Sequence, residues 1–380
     1  IDEGILFVCG CGNNGGDAVA AARILKQQGY HTAIVLVGET SRMSEDLFLQ
    51  LRLAAASDVE AVTAAEVDSA EYPILVDGLF GVGLNRPVEG VYRAMIEQMN
   101  RSQKRIFAID IPSGIHGDTG KVLGVAVKAE TTVTFGVNKL GLVLYPGCGY
   151  AGNVVIGDIG YPACSYEAIE NPAYYYDKKD MENCLPQRKP DGHKGTFGHV
   201  LVIGGSKNMC GAAVFAAKAA YRLGAGLVKV LSAPENRQMI LTMLPEALTD
   251  TYEDEDALAK GLAFADVIVL GPGLGTGETA KKLVQYTLEN FDKPIVLDGD
   301  GITMCTREQL QKAKAPWILT PHPKEFCTIS GWTMAELKED FLQKVKQFAE
   351  EQGGIVVGKD ARTCVSDGNE CYVNISGNSG

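Results

Sequence analysis

Short apolar runs that stop at a glycine or an aspartate recur along this 380-residue chain, and that rhythm constrains its fold more than any other feature. Ile5–Cys9 runs into Gly10, Cys11 and Gly12, after which a helix is predicted over 18–28 with Gly29 as its stop. Strands are predicted at 30–37, at 72–76 before Asp77, and at Arg105–Ile109 before Asp110. Thr63 and Glu66 have the spacing of a capping box. The stretches between the strands are of crossover length, so the sheet is expected to be parallel, with helices on its faces.

The pattern starts again at His199–Ile203, followed by Gly204, Gly205, Ser206 and a small-residue helix over 211–223. Further strands are predicted at 266–270, 294–297, 317–319 and 354–357. Length points the same way, because 380 residues exceed the ~150 typical of one domain. The charged, proline-bearing stretch 177–191 has no apolar period and reads as a linker or domain entry. Domains are therefore expected at 1–165 and 186–380, with a linker at 166–185. Neither end looks complete: the chain enters its first strand without an initiator Met or leader, and Gly377 to Gly380 is a glycine loop with no helix after it.

Charge excludes some partners. A net charge of −12 repels phosphate backbones and anionic lipid, so neither nucleic acid nor a membrane surface is expected. No apolar stretch approaches the ~18 residues that a spanning helix needs. The ten cysteines show no Cys-x-x-Cys spacing and no paired histidine, which favours reduced thiols in the cytoplasm over a zinc site.

Several segments carry candidate chemistry. Asn13, Asn14, Gly15, Gly16 and Asp17 lie between a strand end and a helix start, where bare N–H groups suit a phosphate or ribose; a glycine-rich turn with a capping aspartate is the plainer reading. Asp77 and Asp110 end strands, and a carboxylate there points into the ligand crevice of a parallel sheet, although either could be a helix cap. In the second half, strand-end loops hold Gly271 to Gly275, then Thr320, Pro321, His322 and Pro323, then Lys359, Asp360, Ala361, Arg362 and Thr363, and finally Gly377. Four such loops fit a nucleotide cleft. His322, held between two prolines, stands out among histidines that otherwise read as structural.

In this order, these motifs resemble the bifunctional NAD(P)H-hydrate repair enzymes, an epimerase fused to an ADP-dependent dehydratase. Asn13 to Asp17, Asp77, residues 81–87 and Asp110 to Ser113 carry the first half of the resemblance. His193 to Gly195, Gly204 to Ser206, Gly271 to Gly275, Thr320 to Pro323 and Gly377 with Asn378 carry the second. It implies an α/β chain of two domains, an N-terminal Rossmann-like three-layer epimerase domain and a C-terminal ribokinase-like domain. It further implies a potassium ion held by Asn14, Asp77 and Ser113. Hydrated NADH or NADPH would be bound by Asn13, Asn14, Gly15, Gly16, Asp17, Gly81, Val82, Gly83, Leu84, Asn85, Arg86, Pro87 and Asp110, with Asp110 as catalytic proton carrier.

For the dehydratase, the resemblance implies Ala212, Gly273 and His322 on the substrate. Lys359, Asp360, Ala361, Arg362, Thr363, Gly377, Asn378, Ser379 and Gly380 would sit on ADP, with Mg²⁺. The family's Gly-Ser-Gly-Asp motif, whose aspartate is the expected base, would begin near Gly380 and run past it. Asp360 and Ala18 stand where the family usually has glycine. ADP or ATP, and a homo-oligomer or a monomer, stay open. Two other readings remain: a ribokinase-like small-molecule kinase with an accessory domain, and a non-catalytic scaffold, which would have no need of Asn14, Asp77 and Asp110 together.

Overall fold

The computed structural model describes residues 4–377 except 168, 170, 171, 177, 185–187 and 189. The chain divides into two compact units, 1–169 and 170–380. The first is built on β1 (Ile5–Cys9), β2 (Thr32–Leu36), β3 (Glu60–Ala61), β4 (Ile74–Gly78), β5 (Arg105–Ile109), β6 (Thr131–Phe135) and β7 (Asn153–Gly157). Their order is β3-β2-β1-β4-β5-β6-β7, parallel at every pairing. The central strands are buried on both faces and so read as unbroken apolar runs. From β1 the chain winds one way to β2 and β3 and the other way from β4 onward. The crevice at that reversal, between β1 and β4, is where open sheets bind ligands.

Helix α1 (Asn13–Gln27) starts five residues before the predicted 18, with Gly12 as its N-cap. Asn13 to Asp17 are therefore the first turn of a helix rather than a loop. Packing demands one of the two glycines there: a Cβ on Gly15 would lie 2.0 Å from the Gly10 carbonyl oxygen, so only glycine lets the helix start against the strand end. Ser44 caps α2 (Glu45–Ala55) through Leu47 N–H, and α3 (Gly90–Arg101) follows β4. The capping box at Thr63 does not form. A short 3-10 helix, Ala64–Asp68, follows Thr63 without a side-chain cap, closed by the Glu66 N–H on the Thr63 carbonyl.

The second unit contains β8 (Ala173–Tyr174), β9 (His199–Ile203), β10 (Leu227–Ser232), β11 (Leu248–Thr251), β12 (Val267–Leu270), β13 (Ile295–Leu297), β14 (Trp317–Leu319), β15 (Ile355–Gly358), β16 (Thr363–Ser366) and β17 (Cys371–Asn374). The sheet order is β11-β10-β9-β12-β13-β14-β15-β16-β17-β8. From β11 to β15 it is parallel, while β16 pairs antiparallel with β15 and β17. Its reversal lies between β9 and β12. Within 177–191, read above as having no period, a helix spans Lys178–Cys184. The preceding β8 pairs with β17 and so belongs to this sheet.

Candidate active sites

In the first unit the carboxyl ends of β1, β4 and β5 open on a cleft of about 1650 Å³ lined by Asn13, Asn14, Asp17, Leu79, Phe80, Gly81, Val82, Gly83, Leu84, Asn85, Arg86 and Asp110. Gly15 and Gly16 are buried in the first turn of α1, and Pro87 does not line the cleft. Sequence reasoning missed its aromatic wall: Phe80 and Tyr92 pack with ring centroids 4.7 Å apart and both face it.

Asp77 and Ser113 lie beneath the floor, both fully buried. Asp77 Oδ1 accepts from Leu79 N–H at 3.2 Å and from the Ser113 hydroxyl at 2.6 Å, and Oδ2 accepts from Ser113 N–H at 2.8 Å. The Ser113 hydroxyl oxygen in turn accepts from Phe80 N–H at 2.9 Å, which pins the loop after β4. Burial pushes the Asp77 carboxyl up to about 6, opposed by the hydrogen bonds from Ser113 and Leu79. Among the described residues no ion pair involves Asp77. Buried beside this loop is the Asn14 amide, whose Nδ2 has no partner among the described residues. A fully buried carboxylate without a paired cation, a serine hydroxyl and an amide are oxygen donors of the kind that a hard cation such as potassium takes.

Asp110 holds φ +66, left-handed backbone that is rare outside glycine and common at functional sites. Its Oδ1 lies 2.7 Å from Lys139 Nζ and accepts from the Thr134 hydroxyl at 3.3 Å. Neither residue was picked out from the sequence. The Thr131–Phe135 run, rich in β-branched residues, was the available signal that β6 flanks this edge. Desolvation, and then the charges of Asp110 and Asp46, raise the Asp17 carboxyl.

In the second unit the strand ends form a continuous chain of contacts. Gly205 N–H donates to Pro272 O at 2.9 Å and Ser206 N–H to Gly273 O at 2.6 Å, joining the loops after β9 and β12. Gly273 has φ +62, and a Cβ on it would stand 2.6 Å from Met209 O and 3.1 Å from Ala212 Cβ, so Ala212 and Gly273 are neighbours. Asp298, at the end of β13, accepts from the Thr320 hydroxyl at 2.6 Å and from Lys359 Nζ at 2.9 Å. Lys359 N–H donates to Pro321 O at 2.9 Å, which ties the loop after β15 to the one carrying His322.

His322 caps the helix Pro323–Ser330, its Nδ1 accepting from Lys324 and Glu325 N–H, while Nε2 faces Glu325 Oε1 at 3.1 Å. Asp360 accepts from Ala361 N–H at 2.8 Å, and Arg362 Nη1 donates to Ile375 O at 2.9 Å, close to Gly377. Thr363 opens β16. Asn378, Ser379 and Gly380 lie outside the described residues. Asp298 escaped the sequence reading even though the strand-end rule that picked out Asp77 applies to it equally.

Comparison with known proteins separates the halves in the same way. Residues 200–380 match the family described as NAD(P)H-hydrate dehydratase, and residues 2–141 match YjeF-related protein N-terminus. The bifunctional NAD(P)H-hydrate repair enzyme Nnr of Thermofilum pendens is 34% identical over 394 residues, covering 98% of this chain and 74% of its own. The enzyme of the same name from Coxiella burnetii is 36% identical over 376 residues, covering 97% and 75%. Among solved structures, a ribokinase-like superfamily protein of Enterococcus faecalis matches with a TM-score of 0.50 and 28% identity over 55% of this chain and 75% of its own. With relatives 34% and 36% identical along nearly its whole length, the chain belongs to the bifunctional NAD(P)H-hydrate repair enzymes.

Proposed function

We propose that this chain inverts and dehydrates hydrated NADH and NADPH, with epimerisation in the cleft around Asp110 and nucleotide-driven dehydration at the strand ends around Gly273, Asp298 and His322. The observation that carries the first assignment is a strand-end carboxylate in left-handed backbone opening into a cleft large enough for a nucleotide.

The hydrated ring bears a hydroxyl on the carbon beside the ring nitrogen. A proton delivered to that hydroxyl lets it leave as water while the nitrogen lone pair takes up the positive charge. Water then adds to the opposite face and returns a proton. Asp110 is the group placed to carry that proton. Asn13, Asn14 and the N–H groups at the start of α1 hold the phosphates, and Phe80 with Tyr92 gives a base an apolar wall. Potassium held by Asn14, Asp77 and Ser113 would supply positive charge under the loop 79–86.

In the second unit, transfer of a phosphoryl group from ADP to the same hydroxyl releases AMP and makes that oxygen a good leaving group; loss of phosphate together with a proton from the adjacent ring carbon restores the dihydronicotinamide. Ala212, Gly273 and His322 line the substrate side. Lys359 to Thr363 and the loop from Gly377 take the nucleotide, whose developing charge is met by backbone N–H groups and Lys359. No cluster of three His, Cys, Asp or Glu suited to a metal exists among the described residues, so magnesium fits as a partner of the nucleotide's phosphates rather than in a protein cage. The ten free thiols fit a reducing cytoplasm.

The test follows epimer ratios by chromatography and the return of dihydronicotinamide absorbance with ADP. Asp110→Asn should slow epimerisation at least ~100-fold and leave dehydration of the S epimer intact. Equal loss of both activities would contradict the division between the two units.

A further inference from the structure

We infer that Lys139 is a positioning residue of the epimerisation site, acting through Asp110. The inference rests on the reading of Asp110 as proton carrier and goes beyond it by naming what aims that carboxylate. β5 and β6 pair in parallel with Ile109 opposite Val133, so the residues that follow each strand emerge at one sheet edge. After Phe135 the chain turns back through Gly136 at φ +72, and Lys139 becomes the N-cap of the short helix α4 (Leu140–Val143). Its ammonium folds onto its own strand end, donating to Phe135 O at 2.8 Å and pairing with Asp110 Oδ1 at 2.7 Å.

Both side chains are largely covered, at 18% and 13% exposure. A pair this enclosed is screened little by solvent, and its geometry is set by the fold rather than by a mobile surface contact. Lys139 does not line the cleft, whereas Asp110 does. With Oδ1 occupied by Lys139 and Thr134, Oδ2 is the oxygen that has no partner among the described residues, and it is the one left to meet the substrate hydroxyl. The cation therefore selects which oxygen reacts and keeps a carboxylate in left-handed backbone from rotating away.

The experiment measures kcat and KM for epimer interconversion in the full chain with purified R epimer of NADH hydrate, for Lys139→Met, Lys139→Arg, Asp110→Asn and the double variant Asp110→Asn/Lys139→Met. Lys139→Met should lower kcat about 10- to 100-fold with a much smaller change in KM, because aim is lost and binding is kept. Lys139→Arg should recover most of the loss. The double variant should be no slower than Asp110→Asn, since Lys139 has nothing to act on once the carboxylate is gone.

A Lys139→Met kcat within twofold of wild type, or a further loss in the double variant, would overturn the inference. Thermal melts that show Lys139→Met unfolded move the reading to Lys139→Arg and the epimer-binding constant, where an unrescued kcat with intact binding is equally fatal. If Asp110→Asn itself keeps full activity, the parent reading fails, and the result is distinguishable from failure of the Lys139 proposal alone.

Discussion

Asp77 allows a sharp test of the potassium assignment, because the structure sets both the sign and the size of its effect. The carboxyl is fully buried and pushed from an ordinary 3.8 up to about 6. Below pH 3.8 it is protonated in folded and unfolded chains alike and costs nothing. Above pH 6 it is ionised in both, and the folded state bears the whole desolvation cost. Between these limits the folded chain binds more protons, so stability falls as pH rises. At about 1.4 kcal/mol for each pH unit between the two values, the loss is about 3 kcal/mol.

Asp77→Asn removes the titration, so the stability difference between wild type and variant should change by about 2.4 kcal/mol from pH 4 to pH 8 without potassium. Potassium beside the carboxylate favours its ionised form. At pH 8, KCl should therefore stabilise wild type more than Asp77→Asn, compared with tetramethylammonium chloride at equal ionic strength. Both tryptophans, Trp317 and Trp332, lie in the second unit. Tryptophan fluorescence thus serves as the internal control, while hydrogen exchange across Ile74–Gly78 and Arg105–Ile109 reports the first unit. A difference that does not vary with pH, or an equal gain from KCl in both proteins, refutes the reasoning.

Three other outcomes are expected. Gly273→Ala forces a side chain into left-handed backbone against Met209 O, so the second unit should lose about 1–3 kcal/mol by urea titration of tryptophan fluorescence while epimerisation is unchanged. Lys359→Met removes the cation paired with Asp298 and should raise the KM for ADP about tenfold or more, read from ADP dependence of dehydration. Chelation of divalent ions with EDTA should stop dehydration and spare epimerisation, measured on one sample by absorbance and by chromatography.

Much of this architecture is local and was legible in order along the chain. A strand buried on both faces must be a short apolar run, and a parallel connection needs a crossover, so β1, β4, β5, β9 and β14 and their parallel pairing follow from composition and spacing alone. Asp77 and Asp110 stood out because a carboxylate ending such a run points into the ligand crevice of a parallel sheet, although the sequence left a helix cap equally open. What the chain could not disclose depends on residues distant in sequence. Asp77 is a buried floor and not a wall of the cleft because Ser113, 36 positions away, reaches its carboxylate. Lys139 meets Asp110 only because β6 lies beside β5, and Asp298 meets Lys359 across 61 positions only because β13, β14 and β15 are neighbours. Sequence periodicity decides which residues face a sheet or end a strand; which strand ends become neighbours, and so which charges can pair, is decided by sheet order.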